Sequence, residues 1–297
     1  MQLLKHIARL VQDPPPEFVF ELAEAGIAWT RRAAGPRIAF QPLQPGVLDV
    51  SPLKDNVLQP DALEKAVRNL VNGGGGGKKR RRAALILPDY CSRFAVIDFD
   101  AFPSRYEEQE ALVRFRAKRA ASFDIDSAVV GFRAQQRPGE KRYDVVVVSL
   151  SLEILARYEA PFRAAGLHPG FVTTSALAAS ALVPAAGVAL TLKLDGCALS
   201  VWVQSQGLLK LMRSMELRQV SVPEVMSVLY PTLAFTEDES GQRPGSIFIC
   251  GFEDLAEDLR RECQAETGIL PELLRSRFGA PGQGRAGLLG YLETMEG

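Results

Sequence analysis

Phe18-Val19-Phe20-Glu21-Leu22, Ala23-Glu24-Ala25-Gly26 and Ile27-Ala28-Trp29-Thr30 are the stretch that decides the fold. The first and third blocks read as buried strands, and the four small or acidic residues between them read as a turn. Such a hairpin near the start of a chain can cradle phosphate if its backbone N–H groups are accessible and a cation stands close. Here the turn carries the carboxylate of Glu24, and no Lys or Arg follows before Arg31. A carboxylate facing a triphosphate at low dielectric repels it. The shape is that of a phosphate hairpin, and the side chains argue against phosphate.

The rest of the first half extends this unit. Residues 37–40 read as a third strand. A Pro-rich connection (Pro42, Pro45, Pro52) leads to a helix from Pro60, with Leu63, Ala66, Val67 and Leu70 on one face. Gly73 to Gly77 end that helix, and Lys78 to Arg82 follow as a basic tract. The tract lacks interleaved aromatics, and the glycines before it suit a solvated loop over 73–82, although attraction to an anionic membrane surface is the other reading. Residues 84–88 and 94–98 are strands. Ser104 and Glu107 fit a capping box opening a helix to about Ala121, with Glu110 and Arg114 paired. Strands over 126–135 and 143–150 flank a Pro138-Gly139-Glu140 turn, and a helix over 152–165 contains Pro161. Gly166 to Gly170 reads as a turn that carries His168.

The second half opens with a three-strand meander at 188–194, 199–204 and 208–214, which repeats the order of 18–40. A helix near 224–233, ended early by Pro231, a strand at 246–250 and a helix at 253–267 complete it. A duplicated meander followed by helix and strand makes the class α/β with mixed sheets.

Composition removes several classes of function. Lys+Arg and Asp+Glu both number 35, which gives no bulk attraction to nucleic acid. The four cysteines are dispersed without a CxxC, and the two histidines, His6 and His168, are far apart, so neither a disulfide framework nor a metal centre is expected. No apolar run reaches the length of a membrane span. Residues 1–11 carry Leu3, Leu4, Ile7 and Leu10 at helical spacing with Lys5 and Arg9. That stripe suits a helix packed on its own domain or one lying on a membrane surface.

Residues 84–182 carry the most specific pattern. It comprises Leu85-Ile86-Leu87-Pro88-Asp89, Arg114-Phe115-Arg116-Ala117-Lys118-Arg119, Ser122-Phe123-Asp124-Ile125-Asp126, the valine strand and Tyr158-Glu159-Ala160-Pro161-Phe162. In the order and spacing of these elements the chain resembles the PilM family of type IV pilus assembly proteins. It is similar in layout to FtsA and to the cytoplasmic part of the type II secretion protein GspL. The resemblance implies a duplicated actin-like ATPase (ribonuclease H-like) fold with an FtsA-type inserted subdomain and a reduced second domain. It implies an amphipathic extension at 1–16, a first domain at 17–185 with the insert at about 83–150, and a second domain at 186–297.

The departures from the family pattern decide the expected function. The first phosphate loop falls on Glu21, Ala23, Glu24 and Ala28, and Ala28 stands in place of a cation. The second falls near Asp195 and Gly196, with the aspartate turned to the other strand face. The adenosine-side loop is reduced to Gly251, and Phe252 is expected to put a ring where backbone must approach a ligand. The small subdomain that would close over adenine is largely missing between 217 and 246. No ATP, magnesium or other cofactor is therefore expected. The resemblance implies a non-catalytic scaffold in the cytoplasm, peripheral to the inner membrane. Its partner would be the N-terminal peptide of a PilN-like bitopic inner-membrane protein, held in a groove between the first subdomain and the insert. Phe94, Val96, Phe99, Phe102, Leu112, Phe115 and Phe123 match that region. The alternatives are an active ATPase or sugar-kinase-like phosphotransferase, and a GspL-like platform protein.

Overall fold

The computed structural model describes residues 15–32, 37–71, 81–118, 124–137 and 139–296. The N-terminal stripe, the glycine and lysine tract up to residue 80, and Phe123 lie outside them.

Two five-stranded sheets of identical plan dominate the molecule. In the first, β1 (Phe18–Ala23), β2 (Gly26–Arg31) and β3 (Ala39–Pro42) form the antiparallel meander. β4 (Arg81–Leu87) and β8 (Leu167–Thr174) then add in parallel, in the order β3-β2-β1-β4-β8. The second repeats this with β9 (Val188–Asp195), β10 (Ala198–Ser205), β11 (Leu208–Glu216), β12 (Ser246–Cys250) and β13 (Glu272–Leu273), in the order β11-β10-β9-β12-β13.

Helices cover both sheets because the central strands are apolar on both faces. α1 (Pro60–Val71) and α3 (Leu152–Ala164) bury Leu63, Val67, Ile154, Tyr158 and Phe162 against Phe18, Phe20, Leu22 and Leu85. On the opposite face α4 (Ser175–Ala179) and α7 (Ala286–Glu296) meet Val19, Ala28, Ala84 and Ile86. In the second half α5 (Val222–Ser240) and α6 (Ala256–Thr267) pack Val225, Met226, Leu229, Leu259 and Cys263 on the face of β9, β10 and β12 that points away from Asp89.

The inserted subdomain is a small sheet of order β5-β7-β6, made of β5 (Arg93–Phe99), β6 (Ala128–Gln136) and β7 (Tyr143–Ser151), covered on one face by α2 (Tyr106–Ala117). β4 pairs with β1 and belongs to the first sheet, so the insert begins after residue 87 and not at 83. α7 packs on the first sheet, so the chain after about 285 returns to the first domain and the second does not run to 297.

Several local expectations need correction. Arg81 and Arg82 are strand residues, which ends the 73–82 loop by residue 80. α2 starts at Tyr106 with Arg105 at its N-cap and no side-chain cap, so the Ser104 box does not form. The Glu110–Arg114 pair does, at 3.0 Å. Residues 166–170 are no turn beyond Gly166: His168 and Pro169 lie in β8. Pro169 is tolerated because β8 is the outer strand of its sheet, where a missing N–H breaks no ladder. Pro231 does not end α5, which continues to Ser240.

Candidate functional site

The strands β1 and β9 hold equivalent places at the centres of their sheets, and the register of their hairpins aligns them residue by residue. Ala23 pairs with Gly26 around the turn Glu24-Ala25, and Asp195 pairs with Ala198 around Gly196-Cys197. Counting back two residues, Glu21 is the mate of Lys193. The acidic position of the second hairpin is thus occupied by a lysine. Asp195 stands where the first hairpin has Ala23, and Gly196 where it has Glu24.

Both mates are buried, and each bonds to another part of the chain. Lys193 is 2 % exposed, and its Nζ lies 2.9 Å from Asp89 Oδ2 and 3.8 Å from Asp195 Oδ2. Asp89 sits in the turn after β4 and is 3 % exposed. It also accepts from Ser200 Oγ at 2.8 Å and from the Ala176 backbone N–H at 2.6 Å. Ser200 is 3.2 Å from Ser214. The chain of bonds therefore runs from the first domain through β9 and β10 to β11. Burial alone would disfavour the Lys193 charge, but the charges of Asp89, Asp195 and Glu21 outweigh it and push its pKa up. Lys193 is held as a cation, its Nζ bonded to Asp89 and facing Asp195.

Glu21 closes the other half. It is fully buried and accepts from Ser175 Oγ at 2.5 Å and from the Gly287 and Leu288 backbone N–H groups at 3.2 and 2.6 Å. Those N–H groups are the free donors of the first turn of α7, the kind of terminus that binds an external anion. A carboxylate of the chain itself fills it. Burial pushes Glu21 up to about 7, opposed by the charge of Lys193 and by the bonds from Ser175 and Leu288. Asp195 is likewise raised by burial, against the pull of Lys193.

The segment before α7 ties the second hairpin to the end of β12. Gln283 donates to Gly251 O at 3.0 Å and accepts from Gly196 N–H at 3.3 Å. Gly251 has φ 79°, and a Cβ there would meet Leu194 O at 2.0 Å, so only glycine lets β12 end this close to β9. Glu24 accepts from the Val50 N–H at 2.8 Å. Ala28, opposite Glu21, is buried against α7. Phe252 does not occupy the ligand side: it is 4 % exposed in the second-domain core, so that part of the case against nucleotide falls away.

The residues matched to a partner groove are dispersed. Phe94 and Val96 pack with Val146, Trp202 and Met212 where the insert meets the second domain. Phe99, Phe102 and Leu112 belong to the core under α2. Phe115 is exposed, at 66 %. The face of the insert sheet away from α2 offers a different set. On β6, Val129 is 39 % exposed opposite Leu150, and Gly131 is exposed opposite Val148. Leu150 reaches the first-domain core, and Leu152 next to it is 57 % exposed. Among the described residues β6 pairs with β7 alone, so its outer edge is open. Strand alternation over 128–136 carried this signal: Ala128, Val130 and Phe132 face α2, which turns Val129 and Gly131 the other way.

No protein-family model and no curated protein sequence matches the chain. Solved structures do. A chain of the PilM–PilN type IV pilus biogenesis complex superposes with a TM-score of 0.75 and 17 % identity, covering 95 % of this chain and 99 % of that one. The cytoplasmic domain of EpsL, an inner membrane component of the type II secretion system of Vibrio cholerae, gives 0.53 and 13 %, over 94 % of each chain. A Bacteroides thetaiotaomicron protein with actin-like ATPase fold and unknown function gives 0.51 and 10 %, over 92 % and 94 %. The chain therefore has the actin-like ATPase fold. Within it, the full-length superposition places the architecture with that of the PilM–PilN complex, as the 84–182 pattern implied.

Proposed function

We propose that the chain is a non-catalytic platform protein of a type IV pilus or related envelope machine, and that it binds the N-terminal peptide of a PilN-like membrane protein. The observation that carries this reading is the closed polar network of the interdomain cleft. Glu21 holds the α7 terminus, Asp89 holds Lys193, and Gln283 joins the second hairpin to the end of β12. Glu21, Lys193 and Gln283, which stand at the places of the phosphate loops, are each bonded to another part of the chain. What remains for function is surface.

The fold likeness to a chain of a complex with PilN supports a peptide partner of that kind. The open edge of β6 and the apolar face at Val129, Gly131, Val148 and Leu152 suit a short segment that adds a strand and anchors alternate side chains. Among the described residues no helix is long and apolar enough to cross a membrane, which fits a protein recruited to the cytoplasmic face by its partner. A peptide from the N-terminus of a PilN-like protein of the same organism should bind the full chain without nucleotide. Val129→Asp should weaken that binding by about 2 kcal/mol, as for a hot-spot residue. Since Val129 is exposed, folding should survive. Peptide binding that needs ATP, or that ignores Val129, contradicts the proposal.

A further inference from the structure

The face of the insert sheet away from α2 is shared between three claimants. Phe94 and Val96 of β5 and Val146 of β7 pack with Leu209, Trp202 and Met212 of the second domain. Leu150 packs into the first-domain core. Along β6, Val129, Gly131 and Arg133 stay exposed. Strand alternation puts Gln135 on the same face, and there the exposed strip ends. Gln135 Nε2 donates to Leu209 O at 2.9 Å, and its Oε1 accepts from the Leu209 N–H at 3.0 Å. One side-chain amide thus makes for β11 the two bonds that a facing strand residue would make. Asp144, paired with Gln135 across β6 and β7, is 2 % exposed. It accepts from Lys210 Nζ at 2.5 Å and from Arg137 at 2.7 Å. Two successive residues of β11, Leu209 and Lys210, are therefore bonded to one cross-strand pair of the insert.

β6 runs from one domain to the other. Its first residue, Ala128, pairs with Ser151, next to the exposed Leu152 at the start of α3. Gln135, at the far end, is bonded to the second domain. At 3.4 Å per residue the distance between these two ends is roughly 24 Å. Among the described residues the insert sheet pairs no strand with the first sheet. The chain joins the two only after β4 and before α3. Two such connections leave the insert free to tilt about them, and the bonds to β11 decide where it stands.

We infer that the second domain sets the geometry of the partner site, with Gln135 and Lys210 as positioning residues that hold β6 where an added strand meets both its open edge and Leu152. This rests on the reading that the partner peptide lies along β6. The full chain is titrated with the fluorescently labelled N-terminal peptide of the PilN-like protein, followed by anisotropy. Gln135→Leu removes both bonds to Leu209 and keeps the bulk of the side chain. Lys210→Met removes the charge that faces Asp144. Each should weaken peptide binding roughly 5- to 30-fold, and Lys210→Arg, which keeps the cation, should bind as the parent does.

A second readout does not need the peptide. With Cys197, the exposed cysteine, replaced by serine, spin labels at the exposed positions Lys65 on α1 and Glu107 on α2 report the distance from first domain to insert. Gln135→Leu and Lys210→Met should broaden or shift that distance distribution, and Lys210→Arg should keep it. An unchanged distribution in both variants, or peptide affinities within about twofold of the parent, overturns the inference. If the distances shift but the peptide binds neither parent nor variants, the second domain does position the insert, and it is the peptide reading that fails.

Discussion

Replacing Lys193 by methionine keeps the length of the side chain and removes the charge that Asp89 faces. Asp89 would then hold a negative charge at 3 % exposure with two hydrogen bonds, from Ser200 and Ala176, and no cation. Breaking a buried pair from one side typically costs about 3–5 kcal/mol, because the remaining charge loses its compensation. Removing both charges, as Lys193→Met with Asp89→Asn, keeps an acceptor for the Ala176 N–H and leaves no charge at Asp89, although Asp195 still loses its cation. It should cost about 1–2 kcal/mol. With any cost for Asp89→Asn alone added, the coupling between the two sites is therefore expected to exceed about 2 kcal/mol. Urea unfolding followed by tryptophan fluorescence reads this well, because the two tryptophans report separate domains, Trp29 on β2 and Trp202 on β10. For an m-value of about 3 kcal/mol per molar, Lys193→Met should lower the midpoint by roughly 1 M. Both domains should report the loss, since the clasp joins them. A single-variant cost below about 1 kcal/mol, or a double variant as damaging as the sum of the singles, refutes the view that this pair clasps the domains.

Three further outcomes follow from the same geometry. Glu21 has its folded pKa raised from 4.5 to about 7, so the folded state binds the proton more tightly. Stability should fall as pH rises from about 4.5 to 7, by about 3 kcal/mol in all, and Glu21→Gln should flatten that slope in urea titrations at several pH values. Asp144 behaves in the opposite sense. Burial opposes its charge, but Arg137 at 2.7 Å and Lys210 at 2.5 Å hold its pKa below the usual value. Its contribution is present above the ordinary carboxylate range and is lost on acidification. Asp144→Asn should loosen the insert from β11, seen as faster hydrogen exchange in β5 and β11. Gly251→Ala forces a Cβ into Leu194 O at a positive φ and should lower stability by about 2 kcal/mol or more, measured as a drop in melting temperature.

The repeated meander was legible because its strands are apolar runs bounded by turn residues, and a hairpin needs only local signals. β8 was not, because His168, Pro169 and Gly170 read as turn chemistry. Only the sheet edge and an irregular register beside Ala83 and Ala84 let them lie in a strand. α7 was hidden by Gly287 and Gly290. A Cβ on Gly290 would meet Ala178 O at 2.1 Å, and one on Gly287 would meet the Ser175 Cα at 2.7 Å. These glycines record the close crossing of α7 over α4, a tertiary fact that local propensity cannot carry. The same holds for the cleft. Glu24 and Ala28 announced a weakened phosphate hairpin, but the lysine within Val188–Asp195 gained meaning only when the fold brought the turn after β4, with Asp89, against that face of β9. Register is decided by pairing, and one residue of slip turns every side chain to the other face.

Isothermal titration of the purified chain with ATP and magnesium tests the central claim most directly. The cleft is held by its own side chains, so binding should be too weak to measure, with a dissociation constant above about 1 mM. Lys193→Met should not create a site. A dissociation constant in the low micromolar range, about −8 kcal/mol, would show that the Glu21 and Lys193 networks open to admit nucleotide, and the account of a self-closed cleft would be wrong.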